Sequence, residues 1–239
     1  MTPSELRPVG GAFGLLLGLV LASPWAMPAM LHPGSEALFL LSAFMVRLND
    51  RRWQRRPGAK AWISHIRMMR WRMLPWGALA LVALMARGAG EAGSVLAAAM
   101  LAELLVYPMV SIFIGRMGRG WAMAAMIAVL AALAWIDTSS PMAATMRYLA
   151  IFALGVFTCV YWLRGPDGEP RALAQAIGAA ALFAIIGWAF PDNRGWSVIG
   201  ATAAAALTLA HMATVRASVR AWQTRSGRNQ KRRRGLAGQ

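Results

Sequence analysis

The amino-acid sequence predicts an all-α, polytopic transmembrane helix bundle of about eight spans, with the N-terminus and the C-terminus cytoplasmic. The first observation behind this is composition: of 239 residues, 58% are hydrophobic and 14% charged, against roughly 25% charged in soluble domains. The second is spacing. Apolar residues gather in stretches of about 15 to 23 between short polar breaks, the length that crosses a hydrocarbon core of about 30 Å. The third is the placement of the basic residues, which separates two kinds of loop.

Taken in order, the expected spans are 9–29, 33–46, 73–86, 93–115, 121–136, 145–163, 172–190 and 196–215. Helix is expected throughout, because apolar and polar residues do not alternate and an open strand leaves its backbone unsatisfied in lipid. Of the 25 lysines and arginines, 22 fall on segments that this scheme places inside. Those segments are Arg7, the run 47–72, Arg116 with Arg119, Arg164 with Arg171, and the tail from Arg216; Arg87, Arg147 and Arg194 fall outside. The positive-inside bias therefore sets the orientation. Trp25, Trp76, Trp121, Trp135, Trp162, Trp188 and Trp196 lie near span ends, where amphipathic rings sit at headgroup level. The weakest span is 33–46, which is short enough to be re-entrant and would then leave seven spans. Cleavage of a signal peptide is disfavoured by Glu5 beside Arg7 and by prolines near any cut site. No repeat relates the two halves.

The domain division is a single transmembrane unit over 1–215, including a cytoplasmic basic amphipathic loop at 47–72, followed by a basic, disordered cytoplasmic tail over 216–239. In the loop, Trp62, Ile66, Met69 and Met73 form an apolar arc opposite Lys60, Ser64 and Arg67. Such a segment rests on the inner leaflet. Arg51, Arg52, Arg55, Arg56, Arg67 and Arg70, with Lys231, Arg232, Arg233 and Arg234 in the tail, are the expected contacts to anionic headgroups or a partner protein. Nucleic acid is disfavoured as a partner, since a basic run on a membrane protein marks the cytoplasmic side.

Gly10, Gly14 and Gly18, spaced four apart, are the expected helix-packing stripe, with Ala22 extending it. Glu103 is the acidic residue placed deepest in a span, where an unpaired charge costs at least ~2.5 kcal/mol. Tyr107 and Ser111 follow it on the same helix face, and Pro108 frees a backbone carbonyl nearby, so these three are the candidate intramembrane polar site. The plain alternative is a protonated Glu103 hydrogen-bonded to a neighbouring helix; Gln175, Thr158, Tyr161 and His211 are its expected partners.

Cys159 is the single cysteine, and His32, His65 and His211 fall in separate segments. No disulfide follows, and no metal or cofactor site is expected. No set of acids, bases or ligands converges at one depth as catalysis would need. The reading is therefore an integral membrane protein that is a small transport protein or a non-catalytic accessory or assembly subunit of a membrane complex. The alternative is a membrane-embedded enzyme acting on a lipid or lipid-linked substrate. The arginine and alanine bias points to a GC-rich bacterial genome, and hence to the cytoplasmic (inner) membrane.

Overall fold

The computed structural model describes residues 7–27, 29, 31–50, 59–115, 117–136, 140–165, 169–190 and 194–236, with the backbone alone for 7, 59–61, 194 and 217–236. Among the described residues eight helices follow one another: α1 Arg7–Ala26, α2 Leu31–Asn49, α3 Ala59–Arg87, α4 Ala89–Ile114, α5 Arg119–Leu133, α6 Pro141–Leu163, α7 Pro170–Ala189 and α8 Arg194–Leu236. No strand occurs among the described residues. Five of these helices contain a stretch long and apolar enough to cross a membrane: α1, α4, α6, α7 and residues 195–216 of α8.

Local chemistry sets several boundaries. Ser140 caps α6 by accepting the Ala143 N–H at 3.2 Å, and Pro141 takes the first helical position, where its missing N–H costs nothing. Pro170 does the same for α7. Gly88 alone separates α3 from α4, with φ +92°, a left-handed conformation that glycine adopts without penalty. The backbone of α8 continues through 216–236 without a break from the last apolar stretch.

The helix read as the weakest is the centre of the molecule. α2 has 19 residues, about 28 Å at 1.5 Å per residue, and Ser35 through Leu41 are all buried. A helix covered on every side needs neighbours all round; α2 has α1, α6 and α8 packed against it. Its fit to α6 is made by Gly155. A Cβ there would overlap the Leu40 carbonyl oxygen and lie 2.8 Å from the Ala43 Cβ. Lipid tails are as apolar as leucine, so such close backbone approach, not withdrawal from water, holds helices together in a membrane.

The glycine stripe of α1 makes no such close contact among the described residues: a Cβ on Gly14 or Gly18 meets nothing within 4 Å, and one on Gly10 meets only the Met45 methyl at 3.7 Å. α1 turns Leu15, Leu19 and Trp25 outward beside these glycines.

The segment 59–72 differs from the expected surface helix. It is the first half of the single 29-residue helix α3, and its buried line is His65, Met69, Trp76, Leu79 and Ala83. Trp62, assigned to the apolar arc, is exposed. The arc is displaced because two polar residues, His65 and Arg72, turn toward a buried acid. Trp76 and Trp162 also leave the expected belt. Both are buried, Trp76 stacked on Phe39 at 4.2 Å and Trp162 beside Phe44 at 6.3 Å.

Candidate functional site

Two clusters of ionisable side chains lie inside the bundle, at opposite ends of α2. The first surrounds Glu103, which is 1% exposed. Residues 102–106 of α4 form one π-helical turn, in which the Tyr107 N–H bonds to the Ala102 carbonyl. In this register the Glu103 carbonyl would accept from residue 108, and residue 108 is proline, which has no N–H. His65 of α3 supplies the missing donor, its Nε2 lying 3.0 Å from that carbonyl oxygen. Its Nδ1 faces Arg72 Nη2 at 3.1 Å, so the ring accepts from arginine and donates to the carbonyl. The Glu103 carboxylate sits between the same two residues, with Oε2 3.0 Å from His65 Nε2 and 2.8 Å from Arg72 Nη2. Its Oε1 has no hydrogen-bond partner among the described residues.

The cluster extends along α4. The Tyr107 ring stacks on His65 at 5.1 Å, and its hydroxyl donates to Asp50 at 3.1 Å just past the end of α2, with Arg47 beside it. Ser111 is buried and donates to the Pro108 carbonyl. Its hydroxyl is thus used within its own helix.

The second cluster joins α2, α4 and α6. Arg147 is paired with Glu36 through Nε, and its Nη1 donates to the Leu133 carbonyl at 3.0 Å. Glu36 Oε1 also lies 3.4 Å from His32 Nε2, one helical turn away. The other ring nitrogen of His32 faces Glu91 at 3.2 Å, so the ring lies between the two carboxylates. The Tyr148 hydroxyl donates to Glu91 at 2.9 Å. Glu36 is 1% exposed, and its Oε2 has no hydrogen-bond partner among the described residues. His32 is reachable from outside the fold, as Arg72 is at the other end, with side-chain exposures of 26% and 30%.

Phe39 separates the clusters, stacked between Trp76 and Tyr148 at 4.2 and 4.7 Å. Beside the second cluster opens a cavity of about 1300 Å³, walled by α1, α2, α7 and α8 together with residues 134–136. His32, Glu36 and Arg147 form its polar end; Leu16, Leu41, Phe183, Val198 and Leu209 are among its apolar walls. α1 packs on α2, α3 and α8, and α7 on α8, without close packing of α1 against α7.

The sequence singled out Glu103, Tyr107 and Ser111, and all three are buried along one side of α4. Glu103 and Tyr107 are brought together through His65. Among the described residues, the partners of Glu103 are His65 and Arg72, where Gln175, Thr158, Tyr161 and His211 of later helices were expected. Thr158 instead donates to the Leu154 carbonyl, Tyr161 accepts from Arg119, and Gln175 faces outward. Arg67 and Arg70 are exposed. Arg51, Arg52, Arg55 and Arg56, and the side chains of Lys231, Arg232, Arg233 and Arg234, lie outside the described residues. The second cluster was missed altogether, since Arg147 was read as a loop arginine and Glu36 went unremarked inside the weak span. The available signal was spacing: His32 and Glu36 stand four apart, one turn of one helix face. No three His, Cys, Asp or Glu side chains group to hold a metal ion among the described residues. Comparison of the chain with protein-family models, curated proteins and solved structures gives no match.

Proposed function

We propose that this chain is a transport protein of the bacterial cytoplasmic membrane, that all eight helices cross the bilayer, and that both termini face the cytoplasm. The supporting observation is the pair of buried ion clusters at the two ends of α2, separated by an aromatic stack and each approachable from its own end. Ionisable residues within membrane helices are costly and mark pathways for ions or substrates. An accessory subunit that offers only surfaces has no use for two such clusters.

The topology is consistent with the contacts. His32, Glu91 and Tyr148 meet at one end, and Asp50 meets Tyr107 at the other, as alternating up-and-down helices require. The exposed Arg67 and Arg70 then lie on the cytoplasmic side, where anionic headgroups are their natural contacts.

In this scheme Glu103 is the cytoplasmic-side carboxylate that takes up and releases a proton or cation as the site opens. Glu103→Gln keeps the shape and removes the charge. The variant is expected to fold, to unfold within a few degrees of the parent, and to lose at least tenfold of the small molecule that copurifies in native-lipid nanodiscs, read by mass spectrometry. A stoichiometric protein partner with no bound small molecule would instead make the chain an accessory subunit. A substrate converted to product in the same nanodiscs would make it an enzyme.

A further inference from the structure

We propose that the cavity between α1, α2, α7 and α8 is a binding site for a zwitterionic lipid, whose ammonium group meets Glu36 Oε2 and whose phosphate meets Arg147 Nη2. This deepens the transport reading by naming the substrate class, and rests on it only for the step of movement, not for binding.

Size and lining come first. About 1300 Å³ exceeds the ~300–1,000 Å³ typical of pockets for drug-sized ligands, and most of the wall is alanine, glycine, leucine, valine and phenylalanine. Small residues on the α8 wall, Ala201, Ala205 and Ala206, leave width for hydrocarbon chains. α1 and α7 are both peripheral, with little of their length buried, and do not pack closely on each other, so a chain can enter between them from the bilayer without crossing water.

The polar end has hydrogen-bonding capacity left over. Glu36 is almost fully buried, and Arg147 and His32 both fall on its Oε1, while Oε2 has no hydrogen-bond partner among the described residues. A buried carboxylate oxygen in that state calls for a donor. Arg147 spends Nε on Glu36 and Nη1 on the Leu133 carbonyl. Its Nη2 points along the cavity wall toward Gly195, 3.3 Å from where a Cβ would stand. The ion pair thus carries, among the described residues, a buried acceptor oxygen and a charged donor nitrogen that are not hydrogen-bonded to protein.

A head of net negative charge would face the Glu36 carboxylate, and one of net positive charge would face the guanidinium. Like-charge juxtaposition of either kind is penalised in a low-dielectric site. A head carrying both an ammonium and a phosphate meets each with its opposite. Gly195 keeps the approach to Nη2 open, since a side chain there would crowd it.

The test titrates the purified full-length protein in detergent with lysophosphatidylethanolamine and lysophosphatidylglycerol, reading stoichiometry and affinity by native mass spectrometry. One saturable site is expected, at least tenfold tighter for the ethanolamine head. Glu36→Gln is expected to erase most of that preference, weakening the ethanolamine lipid and relieving the repulsion of the glycerol lipid. Ala201→Phe, which fills the wall without touching the ion pair, is expected to weaken both lipids at least tenfold and to leave the unfolding temperature within a few degrees. It keeps the proposal testable should Glu36→Gln fail to fold. Equal affinity for the two heads, non-saturable binding, or binding indifferent to Ala201→Phe would each overturn the site. Selective binding alongside nanodiscs that hold only a protein partner would sink the transport reading and leave the site standing. A copurifying molecule unrelated to lipid would do the reverse.

Discussion

Arg147→Met is expected to destabilise the folded protein by ~3–5 kcal/mol, the range found when one member of a buried ion pair is removed. The loss comes less from the missing attraction than from what stays behind. Glu36 is 1% exposed, and without the guanidinium its carboxylate has only His32 across 3.4 Å. The Leu133 carbonyl at the end of α5 loses its donor as well. Removing both charges should be gentler than removing one, so Arg147→Met combined with Glu36→Gln is expected to recover most of the loss. Thermal or denaturant unfolding of the purified protein in one detergent gives the four values of the cycle. If the double variant is as unstable as the sum of the two singles, the pair is not the coupled unit described here.

Gly155→Ala is expected to be damaging as well, although it adds a single methyl group. The new carbon would overlap the carbonyl oxygen of Leu40 and crowd its carbonyl carbon at 3.0 Å. A backbone group cannot rotate aside as a side chain can, so α2 and α6 must move apart along their contact. Overpacking in a well-fitted interior costs ~1–3 kcal/mol and sometimes more, and here the misfit falls on the buried face of α2. Gly178→Ala makes the control, because a Cβ there meets nothing within 4 Å. In a helix that exchange should be neutral or stabilising by up to about 1 kcal/mol. Comparing the yield of folded protein and the unfolding midpoint of the two variants distinguishes a packing effect from a general intolerance of substitution.

These two positions show where the sequence could be read and where it could not. Apolar stretch length and arginine placement report on lipid and on the translocation machinery, each acting on one segment at a time, so most helix ends were legible to within a few residues, whereas α3 begins at 59 ahead of the expected 73 and α8 runs on to 236 beyond the expected 215. Glu103 was legible for the same reason, since a charge deep in a span stands out against its own segment. Its partners were not. His65 and Arg72 lie in a stretch whose polar residues, taken alone, belong on a surface; only the pairing with Glu103 turns them inward. Arg147 and Glu36 are 111 positions apart, and nothing local marks them as a pair. Gly155 carries the same lesson for packing. A row of glycines on α1 looked like an interface, whereas the close contact is made by one isolated glycine facing one carbonyl.

The placement of α2 also bears on how the protein is made. Helices α1, α4, α6, α7 and α8 carry stretches apolar enough to cross a membrane on composition, and α2 does not. Glu36 and Arg47 are the reason, since a charge opposes the entry of a helix into lipid alone, by ~2.5–3.5 kcal/mol at the helix centre and by less toward the ends, where these two lie. The residues that compensate Glu36 and seat Leu40 arrive on α6, about a hundred residues later in synthesis. A chain ending at residue 136 should therefore leave Leu38→Cys open to a water-soluble maleimide, and the full chain should protect it; equal protection in both would show that α2 enters unaided. Burial at the centre of the finished bundle then implies late arrival. The segment made second would be among the last to settle, held at the membrane surface until the helix that completes it has been synthesised.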